Sequence, residues 1–382
     1  MLRALLPARA RPAPAFASQE SRRPADAYDA IVIGGGVLAA AIARAAALDG
    51  RSVALLAPAG ICATSPERVW PVIRTSAPDP NRSALQADAP ARAAKLARTL
   101  PLSPGLDRVG SLTLAGRERD LDALTREAAD AQTLGLDVWL DAPQAAAALS
   151  PALAGVTPPP ALNDPAAVTV YADALALGLA IAAEAAGAAV FAHTPVEALA
   201  RDDAAVTGVA LQGRAIRAGA VVLADDHSAI RLVREGRGRL SLTREERSAL
   251  TLDSDTAFGP ALVQDDLLAA QDGGGAVLLS AADAPERVAL RAEALLPRLR
   301  AARIRAIENV TSWTGVDGRP QIGAAELPGL WLALGFGRDA LSPALAVADH
   351  LAAALAGDAL SPALAPFAPT RRAALRLLEA AQ

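Results

Sequence analysis

Six consecutive residues carry the clearest chemistry in the chain. Gly34-Gly35-Gly36-Val37-Leu38-Ala39 reads G-x-G-x-x-A. The first glycine permits a sharp turn, the second lets backbone approach a pyrophosphate, and the small third residue lets a helix pack on its strand. Amides at the start of that helix then favour phosphate charge. This is how a dinucleotide is held, provided the turn lies between a strand and a helix. Residues 28–33 are apolar enough for the strand. Residues 37–48 have helical composition closed by Gly50, and 51–56 supply a second strand. An acid should end that second strand to hold the ribose hydroxyls; Ala57 stands there instead.

Composition narrows the partners. The 382 residues are 52% apolar but only 3% aromatic, and the net charge is −4. No basic footprint marks a nucleic-acid binder. Lys95 is the single lysine, so arginine, which suits planar carboxylates and phosphates, supplies the positive charge. The lone Cys62 rules out a disulfide within the chain and a multi-cysteine metal site. His193, His227 and His350 show no ligand spacing, so no metal is expected. No stretch has the length and purity of a membrane span. Residues 172–190 come nearest, but they contain Asp173 and Glu184 and read as an ordinary helix. A cytoplasmic protein is expected. Residues 1–27, rich in Arg, Pro and Ala, read as a disordered extension.

Further along, 61–82 reads as loop and 84–100 as helix with a break near Pro90. Residues 109–114 suggest a strand, 117–134 a helix, 137–140 an extended segment, and 141–149 a helix capped by Asp141. A proline-rich crossing follows at 158–165, then a helix over 173–187 with Asp173 as N-cap. Strands are expected at 188–191, 196–201, 206–211, 215–218, 220–224, 250–253, 276–280 and 330–334. A helix spans 286–301 with a break at Pro297. The last helix begins with Ser342 as N-cap and Pro343 at N1, and runs to Gly357.

In order along residues 28–372, several pieces resemble one family. Gly110-Ser111-Leu112 and 134–138 match first, then 185–190 with Thr194-Pro195-Val196. Val206-Thr207-Gly208-Val209 leads into 220–224. Trp313-Thr314-Gly315 leads to Gly318-Arg319-Pro320-Gln321-Ile322-Gly323, then to 330–335 and 366–371. These resemble the FAD-dependent D-amino-acid oxidase and glycine/sarcosine oxidase superfamily, including β subunits of multi-subunit amine dehydrogenases. The fold class implied is α/β, a Rossmann-type FAD-binding domain interleaved with a smaller α+β substrate domain. The FAD-binding parts would be 28–85, 151–228 and 313–382. Residues 86–150 would form a substrate or cap segment, and 229–312 the substrate domain.

The resemblance implies FAD as cofactor and hydride removal from the carbon beside an amine nitrogen. The substrate would be a small amine or amino acid, and partner subunits are possible. Gly34, Gly36 and Ala39 would meet the pyrophosphate, Val196 the adenine through its backbone, and Gly335, Gly337 and Leu341 the flavin ring. Arg319 and Arg338 are the candidate catalytic residues, either of which could bind a substrate carboxylate; Arg74 is a rival, and Tyr171 a candidate pocket residue. Relatives have Ala-Gly where this chain has Asp225-Asp226, a histidine-containing turn where it has 335–340, and glycines where it has 61–68. Two readings therefore stand: an FAD-dependent amine or amino-acid oxidoreductase, and a non-catalytic subunit of flavoprotein fold whose cofactor binding is weakened or lost.

Overall fold

The computed structural model describes residues 23–63, 65–236, 238–372 and 375–377. The extension expected over 1–27 falls mostly outside them. Its last residue, Ala27, is already in the first strand, and the Asp26 carbonyl accepts the Arg217 amide at 3.0 Å.

The chain opens with β1 (Ala27–Ile33), α1 (Val37–Leu48), β2 (Val53–Ala57), β3 (Val72–Ile73), α2 (Pro80–Gln86) and α3 (Ala89–Ala97). Next come β4 (Ser111–Leu114), α4 (Glu118–Thr133), β5 (Trp139–Asp141), α5 (Pro143–Leu149), β6 (Ala161–Asp164) and β7 (Val168–Thr169). Then follow α6 (Ala172–Ala185), β8 (Ala189–Ala192), β9 (Ala198–Arg201), β10 (Val206–Leu211), β11 (Arg214–Leu223), α7 (Asp226–Glu235) and β12 (Gly238–Leu240). The next stretch holds β13 (Leu242–Asp253), β14 (Ala261–Gln264), β15 (Leu267–Gln271), β16 (Val277–Ala281), α8 (Pro285–Leu295) and β17 (Arg303–Gly315). The last elements are β18 (Gln321–Ala324), β19 (Leu330–Leu334), α9 (Leu341–Leu355) and β20 (Leu375–Leu377).

One sheet has the order β18-β19-β11-β1-β2-β8; its strands are parallel except β18, and the β9–β10 hairpin extends from β11. Parallel strands covered on both faces read as unbroken apolar runs, as Ala30–Ile33 and all of β2 do. Nine of the 12 residues of α1 are buried, and its alanines bring it into close contact with α6 and α9 on one face. On the other face Ile31, Ile33, Leu56 and Leu223 pack against Leu232 and Val233 of α7.

The second sheet has the order β17-β13-β16-β15-β14-β4-β6-β5 and is antiparallel except where β14 meets β4. A long ribbon of β13 and β17 pairs Leu242 with Gly315 at one end and Asp253 with Arg303 at the other. α5 and α8 cover one face of this sheet. The chain therefore crosses between two mixed α/β layers several times. Membership of the second sheet reaches beyond the expected limits: β6 lies in it, and β17 carries it to Gly315. Among the described residues no helix is long and apolar enough to cross a membrane.

Several local expectations change. The helix expected from 84 starts at Pro80, because Asp79 caps it by accepting the Asn81 amide at 3.0 Å. Asp141 does not cap α5, whose N-cap is Ala142; it accepts Trp139 Nε1 at 2.9 Å and Asn163 Nδ2 at 2.8 Å. The proline-rich crossing pairs as β6 between β4 and β5. The N-cap of α6 is Tyr171, with Asp173 in the first turn. Residues 215–218 and 220–224 join in the single β11 because Gly219 lets the strand pass close to the Asp29 carbonyl. The region 229–312 also holds β14, β15, most of β17 and most of α7, none of which its patterning announced.

Candidate functional site

The carboxyl ends of β1, β2, β11 and β19 converge. From β1 the sheet continues to β2 on one side and to β11 on the other. Such a point, where strand order reverses, opens the crevice in which α/β sheets bind ligands. Gly34 sits there with φ +151°; a β-carbon on it would lie 2.8 Å from the Ala224 carbonyl oxygen and 3.0 Å from Ala39 Cβ. The turn and the small Ala39 are thus one packing unit, and any larger pair would push α1 off the sheet. The Gly35 carbonyl accepts the Cys62 amide at 2.7 Å, folding the 60–62 loop over the turn. Gly36 is the N-cap of α1 and supplies no side chain to its first amides.

A cavity of about 350 Å³ starts at Gly35 and Gly36, passes Ala224–His227, and ends at Trp313, Phe336 and Gly337. Its walls carry four carboxylates: Glu67, Asp225, Asp226 and Glu308. Asp225 is the N-cap of α7, accepting the Ser228 amide at 3.0 Å. Asp226 accepts the Gly335 amide at 2.8 Å. Loss of hydration in the cavity pushes its pKa up to about 7 against that bond, with Asp225 and Glu67 adding repulsion. Glu67 is 3% exposed and lies within a 3₁₀ turn spanning Pro66–Val69. Burial raises its pKa to about 7, while the Val37 amide at the start of α1 favours its charged form. A β-carbon on Gly36 would stand 3.1 and 3.4 Å from its two carboxylate oxygens. Cys62 is buried beside it, and burial, then Glu67, push its thiol pKa well up, leaving a neutral side chain.

The turn after β19 is fastened to β17. Gly335 and Gly337 have φ +75° and +67°, and a β-carbon on Gly337 would meet Thr314 Oγ1 at 2.6 Å. The Gly337 amide donates to the Trp313 carbonyl at 2.8 Å. Leu341 is the buried first residue of α9, whose N-cap is Ala340 rather than Ser342. Ser342 lies inside the helix; its hydroxyl donates to Asp339 at 2.6 Å and accepts the Arg74 amide at 3.1 Å. Asp339 pairs with Arg74 at 3.1 Å. Burial would raise the Asp339 pKa, but Arg74 and Arg82 outweigh it and hold it low.

Beyond that turn lies a second cavity of about 640 Å³, lined by Trp70, Arg74, Arg82, Glu127 and Arg338 among others, and sharing Phe336 and Gly337 with the first. The Arg338 guanidinium stands 4.7 Å from the centre of the Trp70 ring and donates to the Asp265 carbonyl at 3.2 Å. Burial, then the neighbouring Arg247 and Arg74, lower its pKa to about 10. Arg82 donates to the Phe336 and Asp339 carbonyls. A third cavity, about 560 Å³, is lined by Tyr171 and shares Glu308 with the first.

The candidate residues are therefore only partly brought together. Gly34, Gly36 and Ala39 form the turn, and Gly337 lies at the far end of the same cavity, with Gly335 and Leu341 beside it in sequence but not in its wall. Val196 is fully buried in the β8–β9 loop, and its carbonyl accepts a hydrogen bond from Arg231. Arg338 faces the second cavity, but Arg319 does not line it. Its guanidinium is clamped by Asp79, 2.6 Å at Nε and 3.3 Å at Nη2. Arg74 is committed to Asp339. Sequence reasoning missed Glu67, Trp70 and Arg82, which sit in or beside a proline-rich loop without the periodicity that signals burial.

The glycine cradle, the empty N-cap of α1 and the cavity running to the 335–340 turn fit FAD in placement. Glu67 is a buried acidic side chain at the start of α1, beside the buried Ser65 hydroxyl. Comparison with curated proteins finds no matching sequence. Among solved structures, glycine oxidase from Geobacillus kaustophilus is 25% identical with TM-score 0.79, covering 91% of this chain and 100% of that one. L-proline dehydrogenase from P. horikoshii is 19% identical with TM-score 0.82, covering 91% and 98%. Iminodiacetate oxidase from Chelativorans sp. BNC1 is 20% identical with TM-score 0.74, covering 89% and 98%. The last two likenesses speak for the fold alone. The family model described as FAD dependent oxidoreductase, DAO, matches residues 29–354, and the chain belongs to that family, whose cofactor is FAD.

Proposed function

We propose that the chain oxidises a C–N bond of an amino acid or secondary amine by hydride transfer to FAD. One observation carries this reading. The cavity that begins at the glycine turn and the cavity that holds Arg338 meet across Phe336 and Gly337. A dinucleotide seated at the turn and a small substrate beside Arg338 would share that wall. The similarity to glycine oxidase supports the same substrate class.

FAD, when bound, supplies the hydride acceptor. Gly34, Gly36 and Ala39 would hold its pyrophosphate, the Val196 backbone its adenine, and Gly335, Gly337 and Leu341 its ring. Arg338 would bind a substrate carboxylate, since its described contacts are the Asp265 carbonyl and the Trp70 ring rather than a carboxylate, and its guanidinium is planar and bidentate. Trp70 holds that guanidinium in place and closes the cavity wall behind it. The Arg74–Asp339–Ser342 network fixes the turn between the two cavities.

Anaerobic addition of amino acids and secondary amines to the FAD-loaded protein tests this reading. Bleaching of the flavin colour by one of them is expected, with loss of the effect in Arg338→Ala. A second reading has its own observation: the buried Glu67 and the Asp226 carboxylate occupy the cofactor cavity, as a flavoprotein fold kept for a structural or regulatory task would allow. Purified protein that is colourless, and stays so after FAD is added, favours that reading.

A further inference from the structure

Glu67 has no structural task that explains its burial. Its Oε2 has no hydrogen-bond partner among the described residues, although the side chain is 3% exposed. Burying an unpaired carboxylate is unfavourable, so something must hold it there. What faces it is the start of α1. Both oxygens lie 3.1–3.4 Å from where a β-carbon on Gly36 would be, with Ser65 Oγ beside them at 2.7 Å from the same point, and the Val37 amide partly offsets the burial that raises the Glu67 pKa. A helix start with no side-chain cap is a seat for one anion, and here the chain has put its own carboxyl group in it. The Arg68 guanidinium, next in sequence, pairs with Asp173 at 3.0 Å and Glu308 at 3.0 Å. The 3₁₀ turn is thus pinned through Arg68, and rotation of its own side chain would take Glu67 out of the seat.

We propose that Glu67 is a built-in competitor for the dinucleotide phosphate: its carboxyl group occupies the anion seat of α1, and FAD enters only by displacing it. The inference rests on the reading that FAD seats at this turn. Two consequences follow from the placement. The cofactor-free chain keeps its glycine turn filled and folded, because the Glu67 carboxyl group stays in the seat whether charged or protonated. FAD affinity is the difference between the phosphate's interaction with the seat and Glu67's.

The test is titration of FAD into the full-length chain and into Glu67→Gln and Glu67→Ala, followed by flavin fluorescence quenching, with each protein's melting temperature measured alongside. Gln keeps the shape and removes the charge; Ala empties the seat. Both variants are expected to bind FAD roughly tenfold more tightly than the parent, a change of about 1.4 kcal/mol, with melting temperatures unchanged or raised. Equal affinity in all three proteins, or weaker binding in the variants, overturns the inference and leaves the amine-oxidising reading standing. Tighter binding in the variants with no flavin bleaching by any amine upholds the inference and removes that reading. No FAD binding by any of the three overturns both.

Discussion

The Arg338 guanidinium lies 4.7 Å from the centre of the Trp70 ring, and Arg247 lies 5.2 Å from the same ring. Two cations at one indole repel each other, and that repulsion, after burial, is what lowers the Arg338 pKa to about 10. An incoming carboxylate would relieve it.

Arg338→Ala should therefore raise KM for a carboxylate-bearing substrate more than it lowers kcat. A charge-assisted pair contributes about 1.5–3 kcal/mol, so a roughly tenfold to hundredfold rise is expected. Arg338→Lys should recover little, because a point charge lacks the planar fork. Steady-state kinetics of the two variants check this; an unchanged KM removes Arg338 from the site.

Arg319 should behave differently. Its partner Asp79 is the N-cap of α2, and the Arg319 side chain is 40% exposed. Arg319→Ala should leave KM unaltered and cost only about 0–1 kcal/mol of stability. Asp79→Ala, which also loses the cap, should cost about 1 kcal/mol more. Chemical denaturation of both variants measures the difference.

Glu67 and Asp226 make stability depend on pH. Both folded pKa values are raised to about 7, from ordinary values of 4.5 and 3.8. Between those limits the folded state binds more protons than the unfolded chain, so stability falls as pH rises. It is greatest below about pH 4 as far as these two groups are concerned, and lost through about pH 7. Melting temperature followed from pH 5 to 8 should decline in the parent and flatten in the Glu67→Gln, Asp226→Asn double variant.

Asp226→Asn keeps an acceptor for the Gly335 amide and removes one charge from the cavity. FAD should bind it more tightly than the parent, with the 335–340 turn undisturbed. Asp225→Ala should instead loosen α7, because Asp225 is spent on the Ser228 amide. FAD titration and thermal melting separate the two outcomes.

The sequence makes the frame legible where one element decides its own conformation. Residues 37–48 form α1 with the expected limits, because glycines at 36 and 50 punctuate an alanine-rich stretch. The adjoining β1 and β2 follow from unbroken apolar runs. The second sheet is harder to read. A third of β13 is Thr243-Arg244-Glu245-Glu246, polar on both faces, and it becomes a strand only by pairing with β17. β6 hides in a proline-rich stretch because the pairing that makes it a strand comes from β4 and β5 on either side. In the site, glycine spacing points to the turn, but no local pattern shows that Glu67 is buried against it. Nor does any pattern show that Arg319 is taken by Asp79, a partner 240 residues away.

The central claim, that this fold still serves amine oxidation through FAD, is tested most directly by one absorbance measurement. The chain is loaded with FAD, freed of oxygen, and mixed in turn with amino acids and secondary amines. The account predicts that at least one of them bleaches the flavin spectrum. A bound flavin whose spectrum stays unchanged with all of them would contradict it.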